Sequence, residues 1–308
     1  MAHIYVYSPS GAVRDRASFK RGIKRLQALG HEVEIDPTAL DTWQRFAGDD
    51  ATRLASVARA AASGADVALT TRGGYGLSRL LPDLPYRQIA KSIEKGTHFV
   101  GFSDFTALQL ALYAKTEAIT WSGPALCEGF GTNDPEGPDE ITMACFDDLL
   151  SGSGEGAGWR VKPSSEQDHS SGLLAKQATL WGGNLAMLVS LLGTPYFPEI
   201  KNGVLFLEDV GEHPYRIERM MTQLMHAGVL RQQKAIVLGQ FTEYKLTPQD
   251  KGYTLAKMVE WLRTQVKCPI LTGLPFGHVP TKVLLPVGKK VDFLLEDRDA
   301  FLLWGHVH

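Results

Sequence analysis

Residues 97–113 read THFVGFSDFTALQLALY. A short apolar run passes through Gly101, Phe102, Ser103 and Asp104 straight into a pattern with helical spacing. A serine on such a strand-to-helix turn is presented at the carboxyl end of a strand. There the N–H of the next residue, Asp104, can point at a developing oxyanion. The pattern half matches G-x-S-x-G, because Phe105 stands where the second glycine would be. The same serine is also a good helix N-cap, with Asp104 favourable in the first turn. Spacing alone leaves both readings open.

A serine nucleophile needs a base, and the base needs an orienting group. Of the nine histidines, His278 stands apart: it lies in ILTGLPFGHVP, residues 270–280, behind a short strand pattern and next to Gly277. A glycine there lets the backbone turn or a ligand approach closely. The carboxylate candidates are Glu208 and Asp209, which end the apolar run of GVLFLED. The end of such a strand faces the crevice in which α/β proteins bind ligands. Neighbouring strand residues point to opposite faces, so the two are poorly placed to act as a carboxylate pair. A helix cap or a surface ion pair is the plainer role for either.

Two glycine-rich stretches follow strand patterns. LTTRGGYGLSRLL, residues 69–81, has neither G-x-G-x-x-G nor G-x-x-x-x-G-K-[ST], so it carries no dinucleotide fingerprint and no P-loop. Its glycines can still turn backbone N–H groups toward an anion, and Arg72 beside them suits a substrate carboxylate. TLWGGNLAML, residues 179–188, opens a helix and offers Asn184 to a ligand. There is no H-E-x-x-H, and Cys127, Cys145 and Cys268 have no C-x-x-C spacing. Neither a metal nor a cofactor is expected.

These residues need elements to hold them. Over the first 125 residues, short apolar runs at 3–8, 31–35, 66–71, 97–102 and 118–122 alternate with helical spacing at 15–29, at 50–63 and after Phe102. That alternation reads as βαβ units on a parallel sheet. Residues 151–172, SGSGEGAGWRVKPSSEQDHSSG, are dense in Gly and Ser and lack a period, which reads as a linker. Beyond it come helix patterns at 183–192, 214–227 and 254–266, strand patterns at 203–208 and 234–241, and terminal β segments that suggest a hairpin. The expectation is an α/β protein. A Rossmann/flavodoxin-like parallel-sheet domain covers 1–150, and an α+β domain covers 173–308.

At 308 residues, two domains fit the length. With 32 basic and 34 acidic residues, the balance argues against a nucleic-acid partner. No apolar run approaches the roughly 18 residues of a membrane span, and the start MAHIYVYSPSG shows no secretory pattern. A cytoplasmic location is the expectation.

The set RGGYG (72–76), GFSDFTAL (101–108), SGP (122–124), WGGNLAML (181–188), LFLED (205–209), HPYRIERM (213–220) and GLPFGH (273–278), in that order and at those separations, resembles the LD-carboxypeptidases. The likeness runs from SPSG at 8–11 to the final β segments. It implies a serine peptidase with a Ser–His–Glu triad: Ser103 as nucleophile, His278 as base and Glu208 as orienting carboxylate. It implies an oxyanion hole from the N–H groups of Asp104 and Gly74, and a site between two domains. The substrate implied is the cytoplasmic murein tetrapeptide L-Ala-γ-D-Glu-meso-diaminopimelate-D-Ala, free or sugar-linked, and the implied assembly is a homodimer. A carboxypeptidase must bind a free terminal carboxylate, for which Arg72 and Arg219 of the RIERM stretch are the candidate cations, with Asn184 as a further substrate contact. The alternatives are a related amidase acting on a peptidyl-nucleotide, as in microcin immunity, and a non-catalytic ligand-binding module.

Overall fold

The structure, a computed structural model, describes residues 1–161 and 171–305. In the first sheet, β1 (His3–Tyr7), β2 (Glu32–Ile35), β3 (Val67–Thr70), β4 (His98–Gly101) and β5 (Thr120–Ser122) are all parallel. Their spatial order is 2-1-3-4-5, the flavodoxin-like doubly wound arrangement expected from the alternating pattern. Helices α1 (Arg16–Ala28), α2 (Asp50–Ala62), α3 (Tyr86–Glu94) and α4 (Phe105–Thr116) make the crossovers. Asp15 and Asp49 start α1 and α2 by accepting from the N–H groups of Ala17 and Thr52. α5 (Glu140–Ser151) follows the sheet, capped by Asp139.

The second sheet has two halves. β7 (Gly172–Asn184), β8 (Val204–Val210), β9 (Ala235–Thr242) and β10 (Ile270–Thr272) are parallel. They are joined by α6 (Leu185–Ser190), α7 (Pro214–His226) and α8 (Leu255–Gln265). On the other side of β7 the sheet turns antiparallel: β12 (Lys290–Glu296), β13 (Asp299–Leu303) and β6 (Gly156–Arg160). The terminal hairpin is therefore present as β12–β13. In β8, Val204 to Asp209 are all buried, as suits a strand with parallel partners and helices over its faces.

Two boundaries differ from the expected ones. The stretch 151–172 contains β6, which pairs with β13 and sends Trp159 onto Phe293 in a stack with ring centroids 5.9 Å apart. Only Ala157 and Trp159 point inward from it, with glycines and Arg160 between, so two apolar side chains were too few to show a period. The remainder of that stretch, 162–170, lies outside the described residues. Second, β11 (Leu285–Val287) leaves the C-terminal region and adds an antiparallel strand to β5, with Leu285 opposite Ser122.

α4 joins the halves. Every residue from Phe105 to Leu112 is buried, and the helix packs against α3 on one side and against α6, β7 and β11 on the other. A helix apolar all round needs cover on all faces. It gets that cover because one apolar cluster runs from Phe99 and Phe105 through Leu185 to Phe206 and Phe276.

Candidate active site

The turn after β4 carries Ser103 with φ of +63°, in the left-handed region that a serine adopts only when its surroundings hold it there. The neighbours Phe102 and Asp104 are buried while Ser103 is partly exposed, so the turn lifts one polar side chain out of the core. The close approach to it is made by Gly73, in the loop after β3. A Cβ at Gly73 would lie 2.6 Å from Ser103 Cβ and 2.7 Å from Ser103 Oγ. Only a hydrogen leaves room there.

His278 and Glu208 come from the second sheet. Glu208 lies near the end of β8 and is 0% exposed. His278 follows β10, next to Gly277, whose φ of +138° and 3.3 Å separation of its hypothetical Cβ from Glu208 Oε2 demand glycine. His278 Nδ1 lies 2.8 Å from Glu208 Oε2, and His278 Nε2 lies 3.2 Å from Ser103 Oγ. With Nδ1 donating to the carboxylate, Nε2 is left free to accept from the serine hydroxyl. The Phe102 ring packs against the imidazole at 4.9 Å between centroids. Burial alone would lower the His278 pKa, but the hydrogen bond and charge of Glu208 outweigh it, and the pKa ends above the usual histidine value.

The two carboxylates expected on opposite faces are held by one side chain. Asn184 Nδ2 donates to Glu208 Oε1 at 3.1 Å and to Asp209 Oδ1 at 2.9 Å. An irregularity in the β8–β9 register between Leu207 and Asp209 removes the strict alternation that would have parted them. Asp209 also accepts from the N–H groups of Ala186 and Val210. Burial and the nearby Glu208 charge push its pKa up to about 6. Asn184 Oδ1 meanwhile accepts from Met187 N–H as the cap of α6. The side chain expected to meet substrate is thus occupied on both ends, and its contacts make it a positioning residue for Glu208.

Asp104 has two jobs to do. Its carboxylate is 1% exposed and accepts from Ser10 Oγ and, at 3.0 Å, from Leu77 N–H, tying the loops after β1 and β3 to the serine turn. Burial pushes its pKa up. Its own N–H finds no acceptor among the described residues, and neither does that of Gly74. The Gly73 carbonyl accepts from Gly11 N–H, and across a trans peptide this turns the Gly74 N–H the opposite way. Both groups expected at the oxyanion hole are therefore unengaged, on the two loops that meet at Ser103.

The cationic candidates fare differently. Arg72 Nη2 lies 3.8 Å from Glu128 Oε1, and Arg72 lines a side cleft of ≈ 300 Å³ together with Arg14 and Arg21. Arg219 is exposed on α7 and does not line the cleft at His278. That cleft, ≈ 830 Å³, is lined by Phe102, Glu128, Asp139, His278, Val279 and Lys282 among others. Lys282 was not singled out from sequence: it sits four residues past His278 without a motif of its own. No cluster of metal-ligating side chains occurs among the described residues.

A doubly wound sheet and a second half-parallel sheet, docked so that Ser, His and Glu meet between them, define a hydrolase of the two-domain type. Residues 4–123 match the LD-carboxypeptidase N-terminal domain and residues 177–293 match the LD-carboxypeptidase C-terminal domain, and the chain belongs to this family. It is accordingly a carboxypeptidase, a peptide hydrolase. It is 38% identical to the muramoyltetrapeptide carboxypeptidase of Oxalobacter formigenes, whose crystal structure superposes with a TM-score of 0.86 over 98% of both chains. It is 28% identical over 283 residues to the "Probable murein peptide carboxypeptidase" of Bacillus subtilis, covering 91% of this chain and 85% of that one. It is also 30% identical over 249 residues to the microcin C7 self-immunity protein of Escherichia coli, covering 73% of this chain and 70% of that one.

Proposed function

We propose that the chain is a serine-type LD-carboxypeptidase that releases the terminal D-alanine from murein tetrapeptide, L-Ala-γ-D-Glu-meso-diaminopimelate-D-Ala, free or sugar-linked. The observation that carries the reading is the continuous relay Ser103 Oγ, His278 Nε2, His278 Nδ1, Glu208 Oε2, with steps of 3.2 and 2.8 Å. The likeness to two murein peptide carboxypeptidases supports the substrate.

In this mechanism Ser103 Oγ attacks the carbonyl carbon of the diaminopimelate residue while His278 Nε2 takes the hydroxyl proton. Glu208 fixes the tautomer and stabilises the imidazolium. The N–H groups of Asp104 and Gly74 hold the oxyanion, each lowering the barrier by about 3 kcal/mol. His278 then gives its proton to the departing D-alanine nitrogen as the C–N bond breaks. Water attacks the acyl-enzyme by the same route, with His278 as base, and frees the tripeptide and Ser103. We place the enzyme in the cytoplasm, acting on recycled murein fragments, as a homodimer.

A second reading, an amidase acting on a peptidyl-nucleotide, is favoured by the likeness to the microcin C7 self-immunity protein. Mass spectrometry separates the two. Purified enzyme given the tetrapeptide and, in parallel, an aminoacyl sulfamoyl adenosine should release D-alanine from the first and leave the second intact. Cleavage of the nucleotide conjugate alone would transfer the assignment to the amidase.

A further inference from the structure

We infer that Lys282 reads the free terminal carboxylate of the substrate and so makes the enzyme an exopeptidase. The inference rests on the serine carboxypeptidase reading above. In that chemistry the leaving nitrogen must come within about 3 Å of His278 Nε2 to receive its proton. The terminal carboxylate carbon is two bonds from that nitrogen, about 2.5 Å away. Whatever recognises the carboxylate must therefore open on the same cleft as His278. Arg72 lines the side cleft and faces Glu128.

Lys282 satisfies that condition. It lines the cleft with His278 and Phe102, and it is the one Lys or Arg among the described lining residues, against six Asp and Glu side chains. A substrate carboxylate is repelled by the rest of the lining and has this one cation to meet. The side chain is held in advance. Lys282 is 2% exposed, its Nζ donates to the Val279 carbonyl, and Nζ lies 5.2 Å from the centre of the Phe102 ring, which itself packs on His278. Its backbone N–H donates to Thr142 Oγ1 at 2.7 Å, while neighbouring Thr281 donates to Asp139 at 2.6 Å, so the segment is pinned to the start of α5. An ammonium has three N–H donors, and only the one to Val279 finds an acceptor among the described residues. Burial lowers the Lys282 pKa, and the charges of Glu128, Glu208 and Asp139 offset that only in part, so a bound carboxylate adds the counter-charge the site lacks. A desolvated ammonium with unused donors beside the base is well matched to a carboxylate.

The test compares the tetrapeptide with its C-terminal amide. The wild-type enzyme should prefer the free acid by about 100-fold in kcat/KM, the weight of a charge-assisted hydrogen bond in a desolvated site. Lys282→Met should bring that ratio to within about threefold. Lys282→Gln, which keeps a polar donor in place of the charge, serves if the methionine variant does not fold, and the same collapse is expected of it. A preference for the acid that persists in the folded variant would overturn the role of Lys282 while leaving the carboxypeptidase reading intact. Release of no terminal residue by wild-type enzyme from either peptide would overturn both.

Discussion

Ser103 is held at φ +63° beside a glycine that cannot carry a Cβ, and His278 is held between that serine and a fully buried glutamate. These constraints give the site a definite pH response. In the proposed mechanism His278 Nε2 accepts the Ser103 proton, so activity should require the neutral imidazole. Burial pulls its pKa down, Glu208 pulls it up by more, and the net shift is upward from 6.5. The kcat/KM profile should thus rise with pH and level off only above the ordinary histidine range. Replacing Glu208 by Gln should lower kcat by about 10⁴-fold, as loss of the orienting carboxylate does in such triads, and move the acidic limb downward. An acidic limb that stays in place in Glu208→Gln, measured by continuous assay from pH 5 to 9, would contradict the coupling. Of these residues, Ser103, Glu208 and His278 stood out as candidates because each ends or follows an apolar run at a turn, but the pattern left a helix-cap role open for Ser103 and only the family resemblance chose Glu208 over Asp209. Asn184 was legible as a polar residue at a helix start, but its partners were not: strand alternation separates Glu208 from Asp209, and only the register irregularity in β8 brings both to one amide. Lys282 was illegible because what distinguishes it is burial against Phe102 and a cleft wall, which no local pattern encodes.

At the scale of elements, the site is built from loops at the carboxyl ends of β1, β3 and β4 in one sheet and of β7, β8 and β10 in the other. The order 2-1-3-4-5 places β1 and β3 side by side at the switch point, where the two connections part and leave a crevice. Asp104 then locks the β1 and β3 loops to the serine turn through Ser10 and Leu77. The approach of Gly73 to Ser103 leaves no room for a side chain, and it yields a sharp prediction. Gly73→Ala would place a methyl group 2.7 Å from Ser103 Oγ, so either the loop or the serine must shift. A displacement of about 1 Å at a reacting group costs on the order of 10²-fold in rate. We expect kcat to fall by that factor with the melting temperature nearly unchanged; full activity in Gly73→Ala would mean that this loop does not shape the site. The parallel sheet was legible because its strands and helices alternate at regular spacing. The edge strand β6 was not, since two inward apolar residues between glycines look like a loop.

For the molecule as a whole, the two halves are not separable units. β11 comes from the C-terminal region and completes the first sheet at β5, and α4 is buried between both halves. Residues 1–150 alone would lack β11 and the cover from α6 and β7, baring the β5 edge and the face of α4 that carries Thr106 and Tyr113 to water. An exposed strand edge beside an apolar surface invites association. The fragment should therefore be aggregated or partly unfolded by circular dichroism and size-exclusion chromatography, whereas a monodisperse folded fragment would show that the N-terminal half stands alone. This crossing was hidden in the sequence because VLLPV reads as part of the terminal hairpin, and nothing local says which sheet it joins. The same interlocking keeps Ser103 in register with Glu208 and His278, which lie 105 and 175 residues further along the chain.

The central claim is that Ser103 releases a terminal D-residue from a peptide ending in an L–D bond. The most direct measurement is mass spectrometry of the tetrapeptide, and of its stereoisomer ending in L-alanine, after incubation with wild-type enzyme and with Ser103→Ala. Loss of one alanine from the D-ended peptide alone, reduced about 10⁶-fold in Ser103→Ala, is the result expected of a serine nucleophile in a triad. Turnover that survives Ser103→Ala, or release of L-alanine at an equal rate, would contradict the account.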